Sequence, residues 1–432
     1  MEISSLNQAP FDRSRNSRKV VAFLVGLAFP LFCLGSGKPV LSWSSGQGTA
    51  RGERVIEGIR TMDGGFLAVG RTMERVGRYS DGLVVKIDES GRLEWQRTLG
   101  RPGAMDEARC VVEASDGFII GGSINKGGRS RPGLWKLGRS GQTKWFRTFE
   151  GEGHGAVRGL ASGKAGIVAT GYLGFAEAEV PFIADEATGF LLNTDAKGNL
   201  LWLRELPVSQ GSKVEVDAES GRIAVCSTAW RFSGGRDHQD GCLMLFDSRG
   251  KTLWTKYYGG ADMDQFFDID PCPGGFVLAG HSRSLGGGGW DAWLVRVDKG
   301  GNMVWQRNYG QPMGGDPKLI YDECYCVKAT ADGGFVLACG SGIEPENVRN
   351  RKDPLNVWAA YLIRTDGKGR ESWKYLFHKP HDGHNAAEWV VPYAGNAYLL
   401  LLDSDHLGSM GEENFGFLGI LEKEALSPGK RP

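Results

Sequence analysis

GGFVLAG (Gly274 to Gly280), followed after a short gap by WDAWLVRVDKGGNMVWQRNYG (Trp290 to Gly310), contains three apolar runs of strand length parted by turn text. The runs are rich in β-branched and aromatic residues and the gaps in Gly, Asp and Asn, the pattern of short paired strands joined by tight turns. The same text stands earlier in the chain as DGGFLAVG (Asp63 to Gly70) and SDGLVVKIDESGRLEWQRTLG (Ser80 to Gly100). The tryptophan late in each copy recurs at Trp43, Trp95, Trp145, Trp202, Trp254, Trp305 and Trp373, at spacings of 52, 50, 57, 52, 51 and 68 residues.

A period near fifty residues with four short strands per unit predicts an all-β, seven-bladed β-propeller of four-stranded antiparallel blades. In the first unit the strands, A to D from the inside outward, fall at Arg54–Arg60, Phe66–Arg71, Leu83–Ile87 and Leu93–Thr98. Asp63-Gly64-Gly65 and Asp332-Gly333-Gly334 are hairpin chemistry for the A to B link, because Gly tolerates the positive φ of tight turns. Asp88 to Gly91, Asp195 to Gly198, Asp247 to Gly250 and Asp298 to Gly301 serve the C to D link, and the tryptophan follows that glycine by four residues. Tryptophans in equivalent places read as wedges between adjacent blades. Val40 to Trp43 is a strand D with no A, B and C before it, while Glu388–Pro392, Tyr398–Asp403 and Phe415–Leu421 are an A, B and C with no D after them. Pairing the two ends closes the ring and removes the open sheet edges. The expected division is a leader over residues 1–37 and one propeller over 38–432, with units ending near Trp95, Trp145, Trp202, Trp254, Trp305 and Trp373 and a last blade made of 386–423 plus 40–43.

These motifs, GGFxxxG followed by DxWLVRVDxxGxxxWxxxYG, resemble the repeats of bacterial exported propellers found in envelope and secreted proteins. The DxxGxxxW element is also similar to the tryptophan-docking motif of quinoprotein-like (PQQ-type) propellers. Quinoprotein dehydrogenases have eight blades and a vicinal cysteine pair; here seven units stand beside only Cys324-Tyr325-Cys326, so the resemblance implies no PQQ catalysis. The Asp to Gly step is one residue too long for a sialidase Asp box, and the GH and WD positions of WD40 repeats are absent. The resemblance implies architecture and leaves chemistry open, because a propeller hosts many unrelated activities.

The chain of 432 residues carries 51 Lys plus Arg against 51 Asp plus Glu, and no basic stripe stands out, which argues against nucleic acid as a partner. Arg13, Arg15, Arg18 and Lys19, then the apolar Val20 to Leu34, then Gly35-Ser36-Gly37 follow the order of a secretory signal cleaved near Gly37. An uncleaved segment would be a membrane anchor, the expected route to membrane contact; Cys33 suggests lipoprotein processing, for which Phe32 is a poor neighbour. The exported body, periplasmic, cell-surface or secreted, would carry 47 basic against 49 acidic residues, the totals less the four and two of residues 1–37. Of its seven cysteines, Cys226 and Cys242 lie in successive strand patterns, a placement that suggests a cross-strand bridge.

The B to C and D to A links share one face and hold nearly all the variable sequence: Ala176–Ala187, Arg231–Asp240, Gln311–Tyr321, Glu344–Leu355, His378–Asn385 and Ser404–Glu413. Three clusters lie there. His378, His381 and His384 with Asp382, joined by Asp403, Asp405 and His406, suit a transition metal or a proton-transfer site. Asp262, Asp264, Asp268 and Asp270 supply hard oxygen ligands of the kind Ca²⁺ takes, without the glycine and glutamate of an EF-hand, and turn capping is the plainer use. In the third, Asp240 aligns with Asp81 and Asp291 in a turn role, leaving Asp237 and His238 free. No nucleophile elbow, phosphate loop or HExxH helix occurs. The sequence therefore predicts an exported, non-catalytic binding or scaffold module for a protein or glycan partner, needing no cofactor. The alternative is an envelope polysaccharide hydrolase or lyase built on the His and Asp cluster.

Overall fold

The structure, a computed structural model, describes residues 38–48, 52–73, 79–101, 103–178, 180–233, 236–287, 289–343, 358–378, 384–404 and 415–423. The expected leader, residues 1–37, lies outside them. Among the described residues 28 strands form seven antiparallel sheets of four strands each, so the propeller is seven-bladed as its text predicts.

Blade one runs Glu53–Arg60, Phe66–Met73, Ser80–Ile87 and Leu93–Leu99, each strand at or slightly beyond its expected span. Blade four departs most from expectation. Its second and third strands, Ile223–Ser233 and Arg236–Phe246, stay in register out to the pair Ser233↔Arg236. Residues Arg231–Asp240, expected as an insertion loop, are therefore largely a paired hairpin, and Asp240 sits within a strand opposite Ala229. The alternation of Trp230 and Phe232 with polar residues across this stretch is strand patterning that its charged content masked.

The ring closes in blade seven. Lys38–Gln47 pairs with Phe415–Lys423 as the outermost strand, outside Ala397–Ser404 and Asn385–Tyr393, with Leu41 opposite Ile420 and Trp43 opposite Gly419. Ser42 Oγ donates to the Gly419 carbonyl at 2.7 Å, tying the two chain ends together. Apolar residues fill each interface between sheets, as where Leu67, Val69 and Val84 of blade one meet Val111, Phe118 and Ile120 of blade two.

The tryptophans do more than fill volume. In the C to D turn the Asp carboxylate accepts backbone N–H bonds, as Asp298 does from Gly300 and Asn302 at 2.8 Å, and this holds Gly301 at φ 74°. The tryptophan of the preceding blade lies on that glycine. A Cβ built at Gly141, Gly198, Gly250, Gly301 or Gly369 would stand 2.7 to 2.9 Å from Trp95, Trp145, Trp202, Trp254 or Trp305 respectively, too close for any side chain. Gly91 receives Trp43 in the same way, so the closure strand docks as those five do. An arginine two residues on covers the ring from outside: Arg97, Arg147, Arg204 and Arg307 sit 5.2 to 5.8 Å over their tryptophans. Trp373 differs; it is fully buried against Tyr398 of blade seven, which brings no turn glycine to it.

The seven described cysteines are unbonded. The expected Cys226 to Cys242 bridge does not fit, because Cys226 pairs with Leu243 and Cys242 with Ser227, which points the two thiols to opposite faces of the sheet. The cysteines that do face one another are Cys324 and Cys339, opposite each other in blade six.

Gly369→Ala and Gly333→Ala separate backbone strain from ring contact. Both glycines have positive φ (72° and 84°), but only Gly369 lies under a tryptophan. Thermal unfolding should show a loss of about 1 kcal/mol for Gly333→Ala and at least ~2 kcal/mol more for Gly369→Ala; equal losses would remove the tryptophan from the account.

Candidate functional site

The inner strands carry a repeated irregularity. In six of the seven blades the register between strands A and B slips by one residue, at Ile56, Arg109, Arg158, Phe267, Tyr325 and Glu388. A bulge leaves one residue out of the ladder and re-aims its side chain. All six bulged residues line one cavity, of about 660 Å³, which opens on the face of the B to C and D to A loops. Ser212 and Lys213 represent blade four in its wall. The site is thus a funnel at the mouth of the central channel.

Aromatic rings build one side of the funnel. Phe182, half exposed in the loop after the second strand of blade three, lies 4.9 Å from Phe267, 6.3 Å from Tyr325 and parallel to the His281 ring at 6.4 Å. Burial pushes the His281 imidazole down to about 3, so it stays neutral and binds Gln265 through Nε2 at 2.8 Å. Charged groups build the rest. Arg54 meets Asp403 at 3.2 Å and Arg109 meets Glu107 at 3.2 Å. Burial, then the negative charge of Asp403, raises the Glu388 carboxyl to about 8.

The channel narrows below the funnel. Lys213 and Lys328 place their ammonium groups 4.6 and 4.2 Å from the centre of the Trp389 ring, one ring holding two cations. Glu57 pairs with Lys213, and Asp268 with Lys328 at 2.8 Å. The same carboxylates join neighbouring blades, Glu57 accepting from Val111 N at 2.9 Å and Asp268 from Val327 N at 2.9 Å. Beyond this waist a second cavity of about 520 Å³ opens toward the turn face, lined in part by Glu215 and Asp270. Burial, with Asp270 beside it, raises Glu215 to about 8.

The residues singled out in the sequence scatter. His384 reaches the funnel, bridged to Trp358 and 5.6 Å from its ring, and Asp403 reaches it from blade seven. His378 follows the last strand of blade six, partly buried, its imidazole shifted down by burial. His381, Asp382, Asp405 and His406 lie outside the described residues. Asp262 accepts a bond from Met263 N at 2.9 Å in the loop entering blade five. Asp264 is fully buried and accepts from Gly260 N at 2.7 Å and Ser284 Oγ at 2.6 Å. It belongs to a repeated joint, in which an Asp in the first half of strand C and the Asp near the start of the next strand A converge on the glycine after strand D. The sets are Asp81, Asp106 and Gly100; Asp240, Asp264 and Gly259; Asp291, Asp322 and Gly310. Asp268 and Asp270 point instead into the channel. Among the described residues no three His, Cys, Asp or Glu gather as a metal-holding group. His238, expected to be free, is buried within 3.6 Å of Asp240.

The bulged residues escaped the sequence reading. Where they are charged the signal is an ionisable residue in mid-strand, as at Arg109, Arg158 and Glu388, where an inner strand packed on both sides should read as apolar.

No family model matches this chain, and no curated protein matches it. Among solved structures, the C-terminal WD40 domain of Sif2 aligns over 87% of this chain and 98% of its own at 10% identity and a TM-score of 0.44. The Dos1 propeller aligns over 88% and 94% at 10% identity and a TM-score of 0.43.

The raised Glu388 sets a sign for pH dependence. The folded state holds a proton there that an unfolded chain releases near pH 4.5, so this group's contribution to stability is complete below about 4.5 and is lost as pH rises toward 8. Glu388→Gln should flatten the decline in melting temperature between pH 5 and about 8; an unchanged slope would place the proton elsewhere.

Proposed function

We propose that the protein is an exported, non-catalytic binding module that receives a segment of a protein or glycan partner in the funnel of its loop-rich face. The observation that supports this reading is the repeated bulge, which turns six inner strands into one converging set of side chains, five of the six charged or aromatic, around an open mouth. Aromatic rings beside arginines and carboxylates offer apolar area with oriented polar contacts, the make-up of a recognition site. The reading of residues 1–37 as an export signal supports a place outside the cytoplasm, where a channel mouth would face envelope or secreted partners.

A second reading, a hydrolase or lyase acting on envelope polysaccharide, draws on one observation. Glu388 keeps its proton up to about pH 8 and Asp403 lies close enough to raise it, and a carboxyl group held protonated beside a second carboxyl group is the equipment of glycoside cleavage.

Labelled full-length protein presented to peptide and glycan arrays tests both. Ligands of the funnel should lose roughly tenfold or more in affinity in Phe182→Ala and be indifferent to Phe146→Ala, an exposed ring on an outer strand. Binding that ignores Phe182→Ala throughout would remove the funnel from the proposal. Turnover of a bound glycan, abolished by Glu388→Gln with binding kept, would replace the first reading with the second.

A further inference from the structure

Arg109 and Arg158 are the bulged residues of adjacent blades, two and three, and both line the funnel. Arg158 is 8% exposed, and Nη1 donates to the Pro181 carbonyl at 2.8 Å. Among the described residues no carboxylate comes within ion-pair distance of it. Burial, and then the positive charge of Arg109, lower its pKa to about 9. The carboxylate at hand is Glu107, already engaged with Arg109 at 3.2 Å. Glu107 is thus paired with Arg109, and among the described residues Arg158 keeps no ion-pair partner in a wall open to a cavity. A buried cation left uncompensated is costly and is retained where a ligand completes it.

We infer that Arg109 and Arg158 form a carboxylate subsite, which takes the terminal carboxylate or an acidic side chain of a peptide segment bound in the funnel. This rests on the funnel being the partner site and names what it selects. A planar guanidinium with N–H groups turned to a cavity matches a carboxylate in charge and geometry. A peptide fits better than a uniformly anionic glycan, because Glu177 and Glu323 also line the cavity and would repel a chain of a single negative sign.

The test uses the full chain and small probes, and so runs independently of any natural partner. N-acetyl-diglycine as the free acid is titrated against its amide, and N-acetyl-aspartate amide against N-acetyl-asparagine amide, by calorimetry or NMR. The first pair reads a chain terminus and the second an acidic side chain. In at least one pair the acid should bind roughly tenfold tighter than its neutral partner. Arg158→Gln should erase that preference while melting at or above the wild type in chloride buffer, and Arg158→Lys should restore part of the preference. Equal binding of acid and amide in the wild type, or a preference that survives Arg158→Gln, would overturn the subsite. So would an Arg158→Gln protein that melts lower and is not rescued by Arg158→Lys, since Arg158 would then be a strut for Pro181. Galacturonate bound through Arg158 with neither peptide acid preferred would overturn the peptide assignment. Acid preference that depends on Arg158 but ignores Phe182→Ala would leave the subsite in place and fault the funnel rim alone.

Discussion

One contact repeats at six of the seven blade junctions: a tryptophan seated on the left-handed glycine of the next blade's outer turn. The glycine is needed twice over, because the turn demands positive φ and the indole leaves no room for a Cβ. In the turns that carry an aspartate, it fixes the glycine by accepting backbone N–H bonds, and at four of the tryptophans an arginine two residues on covers the ring. Blade spacing and orientation follow from this single docking unit. Its economy lies in placing turn and tryptophan close together in sequence, so blades one to six each carry a tryptophan of their own and the seat for the one before it.

Because the outer turns and tryptophans fix the blades, the inner strands are released from holding the ring together by apolar packing alone. They carry ionisable residues that a sandwich core would exclude. At the waist these pair across blades, Glu57 with Lys213 and Asp268 with Lys328, and Trp389 takes both lysines on its faces. Toward the loop face the bulges leave Arg109, Arg158 and Glu388 incompletely matched. The channel thus passes from internally satisfied charge to charge that looks outward for a partner.

The difference between what was legible in the sequence and what was not follows the same division. Turn and docking chemistry is local: Asp298, Gly301 and Trp305 stand within eight positions, and their spacing alone predicts the turn, the blade and the ring. Closure by Val40 to Trp43 was legible for the same reason, as a strand D lacking its blade. The funnel is non-local. A bulge at Arg158 is a mismatch between two strands, visible only when both are paired, and convergence of Ile56 with Tyr325 depends on the ring's curvature. Cys226 and Cys242 misled because their sequence separation suits a hairpin bridge while the register sets their faces apart. Asp264 read as part of an acidic cluster, whereas its carboxylate belongs to a joint shared with Asp240 of the preceding blade.

Closure through blade seven also dictates when the molecule can finish folding. Ser42 meets Gly419 across 377 positions of sequence, so the last sheet cannot form until nearly the whole chain is available. Until then Lys38–Gln47 is a bare strand and blade one lacks the indole that belongs over Gly91. Contacts of such separation fold slowly and leave sheet edges open to wrong partners. A chain threaded through a membrane from its N-terminus would emerge with its closing strand first and hold it in waiting longest. The earliest residues delivered would be the last to find their place.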